Sequence, residues 1–115
     1  MTSIQESAFE NCLSLSDITI PNGIQSIGSR AFLNCISLSS VTFPNGLATI
    51  GTAAFSLCEE VTYYDFTQLS SIPTLSNQAF GALPAGCEIR VPASLETQWK
   101  AATNWSIYAD HIIGV

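Results

Sequence analysis

The chain has 115 residues and a formal net charge of −6 at pH 7, and 47% of its residues are hydrophobic against 10% charged. This composition predicts one small globular domain and excludes a disordered segment. Nucleic acids and anionic membrane surfaces both attract clustered Lys and Arg, so the acidic balance predicts no nucleic-acid partner. No apolar run is long enough to span a bilayer, which predicts no membrane insertion, and the N-terminal residues do not form a signal peptide.

A long stretch of the chain is repeated with a period of 23 residues. When residues 18–40 are aligned with residues 41–63, nine of the 23 positions are identical. The identical pairs are Thr19/Thr42, Pro21/Pro44, Asn22/Asn45, Gly23/Gly46, Ile27/Ile50, Gly28/Gly51, Ala31/Ala54, Phe32/Phe55 and Cys35/Cys58. The spacing continues upstream to Ile4 and, after a two-residue insertion in residues 67–71, downstream to Pro92. A fixed period of this length is typical of a solenoid with one coil per repeat.

Each repeat contains the same predicted elements in the same order. Residues 15–20 alternate as a short extended segment with Asp17 and Thr19 facing out, and residues 21–23 form a turn. Residues 31–35 form a short helical turn with its apolar residues on one face. The side chains expected to point inward are Leu15, Ile18, Ile20, Ile24, Ile27, Ala31, Phe32 and Cys35. One coil cannot bury so many apolar side chains alone, whereas stacked coils can.

The repeated pattern L-x-x-I-x-I-P-x-x-I-x-x-I-G-x-x-A-F-x-x-C resembles the BspA-like, or treponemal-type, leucine-rich repeat over residues 4–92. The resemblance implies an α/β solenoid, a right-handed superhelix of about four coils with a parallel sheet on its concave side. It implies short helical or irregular pieces on the convex side. It also implies a bacterial surface or secreted protein that mediates adhesion and protein binding.

The C-terminal segment leaves the repeat and predicts a short helical cap. We expect residues 1–92 to form the solenoid and residues 93–115 the cap, within one structural domain. Ser94 is the predicted N-cap, and residues 103–104 are expected to separate two helical pieces. The apolar positions at helical spacing are Leu95, Trp99, Ala102, Trp105, Tyr108, Ala109 and Ile112. The two tryptophans are interpreted as packing on the last coil, with a ligand platform as the alternative.

The N-terminal end shows no corresponding cap, because residue 1 falls in the middle of a repeat. An uncapped coil exposes an apolar face and unpaired strand edges. We therefore expect either a C-terminal fragment of a longer protein or self-association through the N-terminal coil.

The reactive residue types do not form a catalytic pattern. Cys12, Cys35 and Cys58 share one repeat position, which predicts a buried column, and Cys87 is expected on a strand elsewhere. A disulfide or metal site is the alternative, but zinc ligands usually cluster closely in sequence. His111, in the cap, is the chain's only histidine, and no nucleotide-binding or hydrolase fingerprint is present. The sequence thus predicts no enzyme, no catalytic residue, no metal and no cofactor.

The outward strand positions are the candidate partner-binding face. Stacked coils place Asp17, Ser40, Tyr63 and Glu88 in one column and Thr19, Thr42, Asp65 and Arg90 in the next, together called the outward columns. Tyr and Arg dominate binding hot spots, so Tyr63 and Arg90 are the leading candidates, while Tyr64 is expected in the core. The predicted partner is a protein of a host or neighbouring-cell surface or of the extracellular matrix, or a glycan. The alternatives are a merely solvated sheet face and a structural spacer without a ligand.

Overall fold

The computed structural model describes residues 2–115, and Met1, the first residue of the predicted repeat domain 1–92, lies outside the described residues. The strands are β1 (Ser3–Ile4), β2 (Asp17–Thr19), β3 (Ser26–Ile27), β4 (Ser40–Thr42), β5 (Thr49–Ile50), β6 (Tyr63–Asp65), β7 (Thr74–Leu75), β8 (Glu88–Val91) and β9 (Ile112–Gly114). The helix α1 (Glu96–Ala101) lies between two 3₁₀ helices, Ala93–Leu95 and Ser106–His111. Among residues 2–115, these helices are too short to cross a bilayer.

The longer strands form one parallel sheet, here called the major sheet, in the order β2-β4-β6-β8-β9. Its register between β2 and β4 pairs Asp17 with Ser40 and Thr19 with Thr42, residues separated by one 23-residue period. The repeat period therefore sets the strand register, as a stacked solenoid requires. The predicted repeat solenoid with a parallel sheet is confirmed.

The shorter strands form a second parallel sheet, β1-β3-β5-β7, that the sequence analysis did not predict. Each of these strands has two residues, and the register pairs Ile4 with Ile27 and Ile27 with Ile50. Ile27 was correctly placed inside, but two residues are too few to show the alternation that identifies a strand. Each coil consequently contributes a strand to two sheets rather than to one.

Close packing between neighbouring coils explains the repeated glycine that follows this second strand. A Cβ atom placed on Gly28 would lie 2.6 Å from the backbone nitrogen of Glu6 in the preceding coil. At Gly51 the same atom would lie 2.5 Å from the backbone nitrogen of Ser29. Any side chain at these positions would force the coils apart, since non-bonded heavy atoms pack at about 3.5–4 Å.

Residues 29–34 and the corresponding residues of the other coils, here called the convex turns, are tight turns, so the predicted short helical turn is wrong. Arg30 and Asn34 adopt positive φ values of 57° and 61°, which interrupt a right-handed helix. Their backbone N–H groups donate to carbonyls of the next coil, Arg30 to Thr52 at 2.9 Å and Asn34 to Ser56 at 2.8 Å. Hydrogen bonds between coils thus replace the bonds that a helix would form within itself.

A column of phenylalanines fills the interior beneath these turns. Phe32 stacks on Phe9 with ring centroids 5.2 Å apart and on Phe55 at 5.1 Å, and Phe55 stacks on Phe80 at 5.8 Å. Phe32, Phe55 and Phe80 are buried, as the repeat pattern predicts. Burial of each such side chain stabilises the fold by about 1.5–3 kcal/mol.

The cap packs its two tryptophans on the last coil, as predicted. Trp99 and Trp105 are both buried, and Trp105 Nε1 donates to the Pro73 carbonyl at 2.9 Å. The ring of Trp105 meets Phe66 edge-on, with centroids 5.3 Å apart. Aromatic rings of this size cover the end of the hydrophobic core and exclude water from it.

Two details of the predicted cap are wrong. Ser94 is not an N-cap, since Leu95 occupies that position of α1 and makes no side-chain cap hydrogen bond. Ile112 is not helical, because it begins β9, which pairs in parallel with β8. The chain does break after Ala101, where Asn104 at φ 64° donates from its side chain to the Leu75 carbonyl at 2.8 Å.

Candidate interaction surface

The outward columns are assembled side by side on the major sheet. The register continues from Ser40 to Tyr63 and from Tyr63 to Glu88, and in the second column from Thr42 to Asp65 and from Asp65 to Arg90. Of the residues between the columns, Val41, Tyr64 and Ile89 are fully buried and Ile18 is partly buried. Because side chains alternate across a strand, the columns face away from the core.

The second column continues onto β9, which sequence analysis missed. Ile113 pairs with Arg90 and is 40% exposed, while its neighbour Ile112 is buried. The available signal was the β-branched pair near the C-terminus, since such residues favour strands. The surface therefore ends on an exposed apolar side chain rather than on the helical cap.

Tyr63, Glu88 and Arg90 form one contact group on this surface. The Cζ atom of Arg90 lies 3.9 Å from the ring centroid of Tyr63, and Arg90 Nε donates to Glu88 Oε1 at 2.8 Å. An exposed cation–π contact contributes about 0.5–1 kcal/mol, and an exposed ion pair about 0–1 kcal/mol. Together the two contacts hold the guanidinium over the phenol ring.

Asp65 is held by the turn that follows its strand. Its Oδ1 atom accepts hydrogen bonds from the backbone N–H of Thr67 at 2.8 Å and from the Thr67 hydroxyl at 2.6 Å. Aspartate side chains commonly fix a turn in this way. Both hydrogen bonds end on Oδ1 and fix the position of the carboxylate. Oδ2 takes part in neither of them.

Every Lys and Arg side chain of the chain is already engaged by a carboxylate. The three contacts join Arg30 with Glu6 at 3.6 Å, Arg90 with Glu88 at 2.8 Å and Lys100 with Glu96 at 2.9 Å. The hydrogen bond from Lys100 and its charge lower the pKa of Glu96. Within residues 2–115, the carboxylates without a basic side-chain partner are Glu10, Asp17, Glu59, Glu60, Asp65 and Asp110.

A cleft of about 400 Å³ lies where the surface meets the cap. It is lined by the acidic residues Glu88, Glu96 and Asp110, by Lys100 and His111, and by the apolar side chains of Ile112 and Ile113. His111 Nδ1 lies 2.8 Å from the Cys87 carbonyl and must donate to it, because a carbonyl oxygen only accepts. The cleft shares Glu88 and Ile113 with the major sheet, so it is continuous with the outward columns.

All four cysteines are free thiols, and Cys87 is the one that lines the cleft. Cys35 and Cys58 are buried as predicted, Cys12 is half-buried, and Cys87 directly precedes β8 rather than lying on it. Burial raises the pKa of Cys35, that of Cys58 to about 12 and that of Cys87 to about 11. Residues 2–115 contain no group of three or more Cys, His, Asp or Glu arranged to hold a metal ion.

Tyr64 lies in the core, as the alternation predicts. Its hydroxyl makes no hydrogen bond of standard geometry within residues 2–115, although the Cys58 thiol lies close to it. Burial raises the pKa of this phenol, and the neighbouring Cys58 and Cys87 raise it further. This hydroxyl therefore stays protonated at neutral pH.

A protein-family model described as a BspA type leucine-rich repeat region matches residues 2–105 in six copies. The match extends past residue 92, into the segment that the sequence analysis assigned to the cap. No curated protein matches the chain.

Proposed function

The chain belongs to the BspA-type leucine-rich repeat family, and on that premise we propose that it is a non-enzymatic protein-interaction and adhesion module. Leucine-rich repeat modules generally mediate protein interactions. The observation that supports this role here is the continuous row of outward side chains on the major sheet. The proposed site comprises the outward columns Asp17, Thr19, Ser40, Thr42, Tyr63, Asp65, Glu88 and Arg90.

Within this site, Tyr63 and Arg90 are proposed as the main contact residues. Their stacked arrangement presents an aromatic ring and a guanidinium that are already held in place. Groups that are ordered before binding lose less conformational entropy in the complex. The proposed partner is a protein of a host or neighbouring-cell surface or of the extracellular matrix, or a glycan.

The proposed location is the bacterial surface or the extracellular medium, because proteins with BspA-type repeats are often surface-associated. A role without enzymatic activity is supported by the family, which is typically non-enzymatic, and by the lack of a catalytic fingerprint in the sequence. Residues 1–92 are proposed as the repeat solenoid and residues 93–115 as its cap.

Affinity capture from a mixture of serum and extracellular-matrix proteins tests this function. The immobilised chain is compared with the Tyr63→Ala, Arg90→Ala double variant, and captured proteins are identified by mass spectrometry. The matched control is Arg30→Ala, Leu57→Ala, which removes a base and an exposed apolar side chain from the convex turns.

A partner that is retained by the control variant and lost with the double variant would support the proposed site. If no protein or glycan binds, the alternative of a structural spacer without a ligand replaces the proposal. Circular dichroism melting of each variant ensures that lost binding reflects the surface and not unfolding.

A further inference from the structure

We propose that the outward columns and the adjoining cleft bind a Lys- or Arg-rich segment of a partner protein. This inference rests on the proposed function, because it names the partner class for the same surface. It depends on three observations: a guanidinium already held on the surface, unpaired carboxylates beside it, and an acidic cleft at one end.

The surface already binds one guanidinium within the chain. Arg90 lies on the ring of Tyr63 at 3.9 Å and donates to Glu88 at 2.8 Å. The ring face and the carboxylate are the two groups that recognise a cationic side chain. On the other side of Tyr63 its strand neighbour is Ser40, whose side chain is too short to cover a phenol ring. Tyr63 is only partly buried, so part of its side chain remains accessible to a partner.

The carboxylates along the columns carry the charge that such a partner would neutralise. Asp17 and Asp65 lack a basic partner among the described residues, and Arg90, the only basic residue of the columns, is paired with Glu88. Three of the eight column residues are acidic and one is basic, so the columns attract a basic segment and repel an acidic one. The chain as a whole, with a formal net charge of −6, is negative like the columns.

The cleft extends this acidic surface toward the cap. Glu88, Glu96 and Asp110 line it together with Lys100, which is already bonded to Glu96 at 2.9 Å. Its volume of about 400 Å³ is large enough for one long side chain. A basic residue at the end of the bound segment would meet Asp110, which lacks a basic side-chain partner in residues 2–115.

Fluorescence anisotropy with two labelled peptides tests the inference. One peptide alternates Arg and Ser, and the other alternates Glu and Ser. We expect saturable binding of the Arg peptide, no binding of the Glu peptide, and weaker binding as NaCl is raised, because salt screens exposed charges. Binding of the Glu peptide would overturn the inference.

Paired variants locate the binding site. The double variant Asp17→Asn, Asp65→Asn should bind the Arg peptide about tenfold more weakly. Each lost charge contact contributes up to about 1 kcal/mol. Asn keeps a carbonyl oxygen for the Thr67 hydrogen bonds. The matched control Glu59→Gln, Glu60→Gln removes the same charge from exposed residues outside the columns and should change affinity less than about twofold. Equal weakening by both double variants would overturn the inference, because it would indicate attraction by net charge alone.

Tyr63→Leu removes the ring and keeps an apolar side chain. The Arg peptide should bind about threefold more weakly to this variant, because the cation–π contact is lost. Unchanged affinity would contradict the inference. If the serum and matrix capture still depends on Tyr63 while the Arg peptide fails to bind, the proposed function stands and the basic partner is ruled out.

Discussion

The thiol of Cys58 donates a hydrogen bond to the backbone carbonyl of Phe32 in the preceding coil, at 3.2 Å. Cys35 makes the same contact with the Phe9 carbonyl at 3.3 Å. The repeated cysteine thus fills a small buried site and binds one backbone oxygen of its neighbouring coil. Buried thiols of this kind behave as small hydrophobic side chains with a weak donor.

The positions of the four cysteines predict the outcome of a thiol titration. In the native protein, Cys12 is half-buried and should react with a thiol reagent, whereas Cys35, Cys58 and Cys87 should react slowly because they are buried. After unfolding in urea, all four thiols should react. The Cys12→Ala variant should remove the fast native phase, and rapid native reaction of this variant would contradict the assignment.

Alkaline pH should destabilise the protein through Cys58 and Cys87. Burial raises their pKa values to about 12 and about 11, from an ordinary value of 9.0. Between the ordinary and the raised pKa the unfolded chain loses protons that the folded chain keeps, so stability falls as pH rises above about 9. Below that pH the contribution is fully present.

Urea unfolding at pH 7, 8, 9 and 10 measures this dependence. The midpoint should be constant at the lower pH values and decrease between pH 9 and 10. Cys58→Ala, Cys87→Ala should have a lower midpoint at pH 7 but a flatter profile. A profile as steep as that of the wild type would assign the alkaline loss to other groups.

The major sheet could be predicted because the residues of its strands recur at fixed positions of the repeat. Thr19 and Thr42 occupy the same repeat position, so stacking fixes their register without any knowledge of side-chain contacts. In the second sheet Ile27 and Ile50 also share a repeat position, but Ser26–Ile27 is too short to show the alternation that identifies a strand. At the convex turns, hydrogen bonds to the next coil decide the conformation of Arg30, and a local pattern does not show them.

The candidate site was predictable in outline and not in detail. The repeat placed Tyr63 and Arg90 in neighbouring columns, but their stacking depends on side-chain directions that the sequence does not fix. Ile113 was missed because Tyr108 and Ile112 also fit helical spacing, so the strand β9 was interpreted as helix. Pairing with β8 decides in favour of a strand there.

Tyr64→Phe should leave the free energy of unfolding unchanged or raise it by about 1 kcal/mol, because a buried hydroxyl without a partner is costly. Within residues 2–115 that hydroxyl makes no hydrogen bond of standard geometry. Tyr108→Phe is the matched control, since the Tyr108 hydroxyl donates to the Gly81 carbonyl at 3.0 Å. The free energy of unfolding of this control variant should fall by about 1 kcal/mol. The two variants are compared by their midpoints of urea unfolding. Equal destabilisation would mean that the Tyr64 hydroxyl is hydrogen-bonded in solution.

The N-terminal coil is the proposed site of self-association. Phe9 and Leu13 are 39% and 51% exposed, although Phe9 belongs to the same aromatic column as the fully buried Phe32. Exposed apolar side chains in this coil favour association between copies.

Light scattering over a dilution series should show that the mean mass of the 115-residue chain rises with concentration. Leu13→Ser should reduce this increase because it removes apolar area from the N-terminal coil. The matched control is Leu57→Ser, since Leu57 is 53% exposed on a convex turn outside that coil. The control should behave as the wild type. A monomer at every concentration contradicts the proposal, and equal effects of both variants would place the association on the convex side instead.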